Sequence, residues 1–262
     1  MPGKTCAALA AVAMVFISSV PAHADPNALW TIVHDHCVAD EFAHRDPAPC
    51  AQVNLDGGER YGYAVMKDID GDRQYLLLPT ARITGIESPE LLEPGATNYF
   101  AEAWLARAFT EQRAGGTLPR DWVSLAVNSE VSRSQNQLHI HIDCVRADVR
   151  AALRAQAAAI GPAWAPFPAP LAGHTYWAMT VPGADLTVNP FTLLADGLAG
   201  ARTDMGSYTL VIVGADDVAG QPGFIVLADR ADGETGDFAG GEQLQDHDYC
   251  PPPLPPSGAT AK

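Results

Sequence analysis

The chain has 262 residues, of which 47% are apolar, and a formal net charge of −15 at pH 7. An acidic chain of this kind is a poor ligand for nucleic acid, where Lys and Arg must neutralise phosphates, and for broad adhesion to anionic lipid. The apolar fraction is typical of a globular protein with a buried core, in one large domain or two small ones.

The first 24 residues have the pattern of an export signal. Lys4 precedes a short apolar run, and Ala22-His23-Ala24 ends it with a small-x-small cleavage site. The run is shorter than the roughly 20 apolar residues that a spanning helix needs, although an uncleaved N-terminal anchor is the alternative. We therefore predict a signal peptide over residues 1–24 and an exported mature chain.

Four cysteines follow the leader: Cys37, Cys50, Cys144 and Cys250. In an exported protein an even number predicts disulfides, and four cysteines allow three pairings. We favour Cys37 with Cys50, which closes a short loop. The remaining pair, Cys144 with Cys250, would tie the C-terminal tail to the middle of the chain. A free, reactive Cys144 is the alternative.

The N-terminal half has alternating and helical apolar periodicities. The predicted elements are a helix over 27–39 capped by Asn27, strands over 61–67 and 73–79, a helix over 98–114, a strand over 122–128, a polar loop over 129–133, a strand at 138–142 and a helix over 147–159. The acidic link at 68–72 resembles a calcium loop in composition but lacks the distal Glu, so an Asp-Gly hairpin turn is favoured.

The C-terminal half partly repeats this order. After a Pro- and Ala-rich linker over 161–173, we predict a strand over 174–181, a helix over 190–199 and strands over 207–213 and 223–228. The expected organisation is a catalytic lobe over 25–160, a second, non-catalytic lobe or sheet extension over 174–250, and a disordered tail over 251–262.

The strand at 138–142 carries the most informative pattern. Its apolar and imidazole residues alternate with a period of two, which is typical of a half-buried strand. The side chains expected on its polar face are His139, His141 and Asp143. Two imidazoles and a carboxylate on one face have no packing role, so we expect them to contact a polar ligand.

Imidazole is a good nucleophile at phosphorus when one ring nitrogen is free and an acceptor holds the other. Phosphoryl transfer also needs donors for the phosphate oxygens. The candidate donors lie just before the strand and are Asn128, Arg133, Ser134, Gln135 and Asn136. The alternatives are a metal site with Asp143 as a ligand, surface histidines, or a Ser-His hydrolase, for which no Gly-x-Ser-x-Gly elbow occurs.

Leu-His-Ile-His-Ile-Asp-Cys-Val resembles the histidine-triad motif, His-φ-His-φ-His-φ-φ, with Asp143 in the third position. Gln135 and Asn128 also lie where triad nucleotide hydrolases have Gln and Asn. The longer string over 132–142 resembles the bacterial CDP-diacylglycerol diphosphatases in particular. Further matches are Gly62-Tyr63, Gln74-Tyr75-Leu76-Leu77, Glu87-Ser88-Pro89, Val145-Arg146, Asp148-Val149-Arg150, Gly173-His174 and Gln245-Asp246-His247.

This resemblance implies an α+β fold, with a histidine-triad-like antiparallel sheet, flanking helices and a second triad-like lobe without catalytic residues. It implies hydrolysis of the pyrophosphate of CDP-diacylglycerol to CMP and phosphatidate, in the periplasm or at the inner membrane surface. No metal or other cofactor and no nucleic-acid partner are expected. The alternatives are a CMP transferase with an acceptor other than water, a periplasmic metal-binding protein, and a non-catalytic lipid- or nucleotide-binding module.

Carried over by position, the resemblance makes His141 the nucleophile that carries CMP. His139 supports it, because its backbone carbonyl can hold the tautomer of His141. A second register places Gln137 in the first triad position and makes His139 the nucleophile. Asp143 departs from the three-histidine pattern, which leaves the protonation of the leaving phosphatidate unassigned. Asn128, Gln135 and Asn136 are expected to contact phosphate or sugar.

Overall fold

A computed structural model of the chain describes residues 25–255. The predicted signal peptide and residues 256–262 of the predicted tail lie outside this range. The first residues of that tail lie against the fold, since the Leu254 amide donates to the Thr117 carbonyl at 2.7 Å. Between residues 25 and 255, no helix has the length and apolar character needed to cross a bilayer.

One antiparallel sheet organises the described residues. Its strands are β1 (Gln52–Asn54), β2 (Tyr63–Lys67), β3 (Tyr75–Pro79), β4 (Val123–Val127), β5 (Ile140–Cys144), β6 (Ala165–Pro166), β7 (Trp177–Pro182), β8 (Tyr208–Val218) and β9 (Gln221–Arg230). Their order in the sheet is β1-β2-β3-β5-β4-β8-β9-β7-β6. The histidine strand, β5, is therefore an inner strand that pairs with β3 on one side and β4 on the other.

Helices cover both faces of this sheet. They are α1 (Ala28–Thr31), α2 (Ala39–His44), α3 (Tyr99–Ala114), α4 (Ala147–Ala155) and α5 (Pro190–Gly197), with a π-helical segment, Ile32–Val38, between α1 and α2. Asn98 caps α3 as its side chain accepts from the Ala101 amide, and Gly115 ends the helix at φ 89°. Asn27 occupies the predicted N-cap position of the first helix, but its side chain accepts from Arg82 and makes no bond to the helix backbone.

The larger hydrophobic core lies on one face of the sheet. Ile140 and Ile142 of β5 pack there with Leu77 and Leu125 of the neighbouring strands, beneath α3 and α5. Because side chains alternate along a strand, this packing forces His139, His141 and Asp143 to the other face.

The opposite face has two separate hydrophobic clusters. Cross-strand pairing aligns Leu76, His141, Ala126 and Val211 in one row. Leu76 belongs to the cluster under the N-terminal helices, whereas Ala126 and Val211 belong to the cluster under α4. The polar face of β5 therefore lies in the gap between two apolar covers.

The α+β class and the central elements agree with the sequence prediction. The turn at 68–72 does join a hairpin, β2 with β3. The short strands β1 and β6 were not predicted. The two halves are joined in one sheet, because β4 pairs with β8 over four residues.

Both favoured disulfides are confirmed. Cys37 bonds to Cys50, and Cys144 bonds to Cys250, with Cα–Cα separations of 5.6 and 5.5 Å. The second disulfide starts at the end of β5, where Cys144 lies on the main-core face with Ile140 and Ile142, and Cys250 packs against that core. On the polar face, His247 Nδ1 lies 2.9 Å from Asp143 Oδ2, so the tail contacts both sides of this strand. The tail therefore has a fixed position beside the histidines.

Candidate active site

His139 lies directly before β5 and has a defined tautomer. Its Nδ1 is 2.7 Å from the backbone carbonyl oxygen of Gln137, which can only accept, so Nδ1 carries the proton. The lone pair of the neutral ring is then on Nε2. Burial lowers the pKa of His139, which keeps the ring neutral near pH 7.

His141 is held in a different way. Gln74 Nε2 lies 2.6 Å from His141 Nδ1 and 3.3 Å from the Glu242 carboxylate, so one amide donates to both acceptors. In this orientation of the Gln74 amide, His141 accepts at Nδ1 and carries its proton on Nε2, a buried atom without a hydrogen-bond partner among residues 25–255. Burial and the adjacent His139 lower the pKa of His141, and the two rings meet edge to face at 4.9 Å. The expected bond from the His139 carbonyl to His141 does not occur among the described contacts.

Asp143 points into the site but is itself fully engaged. One carboxylate oxygen accepts from the Cys144 amide at 2.8 Å, and the other lies 2.9 Å from His247 Nδ1. The hydrogen bond with Asp143 raises the pKa of His247, whereas burial raises the pKa of Asp143. Asp143 thus orients a third imidazole, that of His247. The disulfide-bonded tail brings this ring to the face of β5 that carries His139 and His141.

Glu242 lies between the imidazoles of His141 and His247. Its Oε1 is 3.3 Å from His141 Nδ1 and 3.5 Å from His247 Nε2. Asn128 fixes the residue in two ways: its amide group donates to Oε2 at 3.1 Å, and its carbonyl oxygen accepts from the Glu242 backbone amide. Asn128, predicted as a substrate contact, therefore positions Glu242.

The hairpin turn between β2 and β3 forms one wall of the site. Asp68 Oδ2 is 3.8 Å from His141 Nδ1, and burial raises the pKa of Asp68. Lys67 Nζ stabilises the turn through the carbonyls of Asp68 and Gly71. Gly71 adopts φ 60°, and a Cβ there would press on the backbone of His247. The turn, which was predicted as a plain connection, thus lies beside both His141 and His247.

Arg133 supplies positive charge near His139. Its Nη1 donates to Glu87 Oε2 at 2.6 Å, and only 7% of its side chain is exposed. The ion pair packs on Gly85, where a Cβ would collide with the guanidinium group. Its Nε donor is buried without a partner among the described residues.

The other three predicted donors lie away from this cluster or make different contacts. Gln135 bonds to the N-terminal helix, with the Leu29 amide donating to its carbonyl oxygen at 3.1 Å and its amide donating to the Asp25 carbonyl. Asn136 donates its backbone amide to the Pro26 carbonyl. Ser134 is exposed. Their predicted contacts with phosphate or sugar stay predictions.

Similarity to known proteins identifies the family of this chain. A family model described as CDP-diacylglycerol pyrophosphatase matches residues 24–251. The chain belongs to the CDP-diacylglycerol pyrophosphatase family. A CDP-diacylglycerol pyrophosphatase of Yersinia pestis is 43% identical over 222 residues, which cover 84% of this chain and 83% of the relative. The range that the family model matches, residues 24–251, includes every residue of the site described above.

For this member of the family, sequence reasoning missed Gln74, Glu242 and His247 as site residues. Gln74 is 67 positions from His141 and 168 positions from Glu242, the two residues that its side-chain amide contacts. Their only sequence signal was that Gln74 and His247 lie in short strings typical of the family. The predicted Cys144–Cys250 bond also indicated that the tail returns to β5.

We predict that replacing Asp143 with Asn lowers the pKa of His247 by about 1 or more, because the variant removes the negative charge that favours the imidazolium form. The pKa is measured by NMR titration of the ring signals. Asp248→Asn, which removes an exposed carboxylate next in sequence to His247, is the matched control with little change. An unchanged titration in Asp143→Asn would contradict the assigned contact.

Proposed function

We propose that this chain hydrolyses the pyrophosphate bond of CDP-diacylglycerol, releasing CMP and phosphatidate, through a covalent histidine–CMP intermediate. Family membership and the named relative support the substrate and the reaction. The observation that supports the covalent step most directly is the bond from His139 Nδ1 to the Gln137 carbonyl. It leaves an uncharged imidazole with its lone pair on Nε2, which is the form a nucleophile needs.

We assign the nucleophile to His139, which is the second register of the triad. In the motif, the carbonyl of the first position holds the ring of the second, and this contact joins Gln137 to His139. His141 is the weaker candidate, because with Nδ1 accepting from Gln74 its Nε2 carries the proton and has no free lone pair. It suits a different role: an N–H donor to a phosphate oxygen, which stabilises negative charge as the bond to phosphorus forms.

In the first step, His139 Nε2 attacks the cytidine-side phosphorus, and the bond to the bridging oxygen breaks. Phosphatidate leaves with that electron pair. In the second step, water attacks the same phosphorus, its proton goes to solvent or a nearby base, and the N–P bond returns its electrons to His139. CMP is released and the neutral imidazole is restored.

His247 is the group that we propose to assist the leaving phosphatidate. The hydrogen bond that His247 donates to Asp143 and the charge of Glu242 both raise the pKa of His247, so it holds a proton nearer to neutral pH than the two buried histidines. A donor of this kind stabilises the departing oxygen. Asp143 then acts through His247 and has a positioning role.

Two coarser expectations belong to the same proposal. The antiparallel order β2-β3-β5-β4 under α3 supports a triad-like fold for the N-terminal half, with the strands from β7 to β9 as its extension. Glu242 and His247, which follow β9, would make the C-terminal half part of the site. The two disulfides support a periplasmic location, where the enzyme would meet its lipid substrate at the inner membrane surface.

We predict that His139→Ala lowers CMP release from CDP-diacylglycerol by about 10³-fold or more, because the nucleophile is lost. His141→Ala should lose about 10²-fold, the usual effect of removing one oriented donor. His34→Ala removes an exposed imidazole on the N-terminal helix and should retain full activity. A His139→Ala protein that keeps its fold and its rate would exclude the proposed nucleophile.

We predict that His247→Gln has a loss of rate that depends on the leaving group, since an acid matters most when that group is a poor one. With aryl esters of CMP, the loss should be about 10²-fold for phenol and under about 10-fold for 2,4-dinitrophenol. Asp248→Asn is the control. Equal losses with both esters would indicate a purely structural role for His247.

A further inference from the structure

A second cluster of ligating side chains lies outside the catalytic cluster. His174, Asp229 and Asp237 bring one nitrogen and two carboxylate oxygens within 4.8 Å of one another. His174 precedes β7, Asp229 is near the end of β9, and Asp237 lies in the loop after β9. None of the three has a role in the proposed reaction.

Asp229 is the member of this cluster that needs an explanation. The residue is only 4% exposed, and its Oδ2 is buried without a hydrogen-bond partner among residues 25–255. The other oxygen accepts from the Arg230 backbone amide at 2.7 Å. An ionised carboxylate in such a place is costly unless a cation or a proton neutralises it.

The other two side chains are held by their own backbone. Leu171 and His174 exchange two backbone hydrogen bonds around Ala172 and Gly173, both at positive φ, so a tight turn presents the imidazole. Asp237 exchanges two backbone bonds with Asp232. The backbone that carries these two ligands is thus fixed before any ion enters, which lowers the entropic cost of binding.

Charge also favours a cation here. The cluster contains two carboxylates. Among the described residues, its one ion pair joins His174 Nδ1 to Asp237 Oδ2 at 2.6 Å. Arg230, the nearest arginine in sequence, is directed to Asp204 instead. A single imidazolium leaves one negative charge uncompensated, whereas a divalent ion neutralises both carboxylates.

We propose that His174, Asp229 and Asp237 form a binding site for a divalent transition-metal cation, with zinc as its best representative. One imidazole and two carboxylates suit such ions better than calcium or magnesium, which prefer oxygen ligands alone. The cluster opens on a 390 Å³ pocket, which leaves room for water as a further ligand. Entry of the ion would replace the direct contact between His174 and Asp237 with bonds from both side chains to the metal.

The site has a structural consequence for the catalytic cluster. The residues after Asp237 bind the loop beyond β4, since the carbonyls of Phe238 and Ala239 accept from the side chain and amide of Ser129. Glu242 follows three residues later. A bound ion would therefore stabilise the loop from which the chain enters the active site.

The test uses the mature chain, stripped with EDTA, desalted and titrated with Zn²⁺ in a calorimeter. Wild type should bind one equivalent, and Asp229→Asn and His174→Gln should each weaken binding by about 100-fold, through loss of one of three ligands. Asp232→Asn, at the rim of the same pocket, is the control that should bind normally. His139→Ala should also bind normally, which separates this site from the catalytic histidines.

Co²⁺ provides a second readout, because its visible spectrum reports nitrogen and oxygen ligation directly. The spectrum should develop with one equivalent in wild type and be lost in Asp229→Asn. Circular dichroism shows whether each variant is folded. No uptake of either ion by wild type would overturn the proposal and indicate that a proton shared between the carboxyl groups neutralises Asp229. Uptake that is equal in wild type, Asp229→Asn and His174→Gln would overturn it too.

Discussion

The packing of Ile140 and Ile142 into the main core is the constraint on which the site depends. Both are fully buried on an inner strand, so a one-residue slip of β5 would place them on the polar face and move the histidines into the core. The register of β5 is therefore fixed by hydrophobic burial. His139 and His141 gain a defined position without needing any interaction of their own to hold the strand.

The C-terminal segment completes what β5 begins. Gln245 donates to Ser124 of β4 and to the His141 carbonyl, and Cys250 is bonded to Cys144. These two connections hold Glu242 and His247 over the strand, although the two residues follow its end by 98 and 103 positions in sequence. A site of buried imidazoles and carboxylates requires such support, because each polar group must find a partner.

The sequence was sufficient for the parts that local chemistry determines. Alternation predicted the polar face of β5, and Asp-Gly predicted the hairpin turn. The even number of cysteines, in a chain predicted to be exported, led to the two disulfides. It was not sufficient to choose between His139 and His141. That choice depends on which carbonyl each ring faces. Both registers place two histidines at the motif's spacing, and each departs from it at one position, Asp143 or Gln137.

Contacts that only the tertiary structure creates could not be predicted from the sequence either. Gln135 has the spacing of a phosphate ligand, yet its side chain bonds to the start of the N-terminal helix. Glu242 has no local pattern at all, and only the fold places it against His141. The asymmetry between the two rings, one with its lone pair on Nε2 and one with its proton there, follows from these long-range contacts.

The central claim is that His139 carries the CMP group. The most direct measurement is to quench turnover of CDP-diacylglycerol at alkaline pH, where a phosphohistidine bond survives, and to locate the modified residue by tandem mass spectrometry. Fragmentation at Ile140 separates the two histidines. We predict that the CMP adduct is on His139. An adduct on His141, or turnover in the quenched samples without any adduct, would contradict the account.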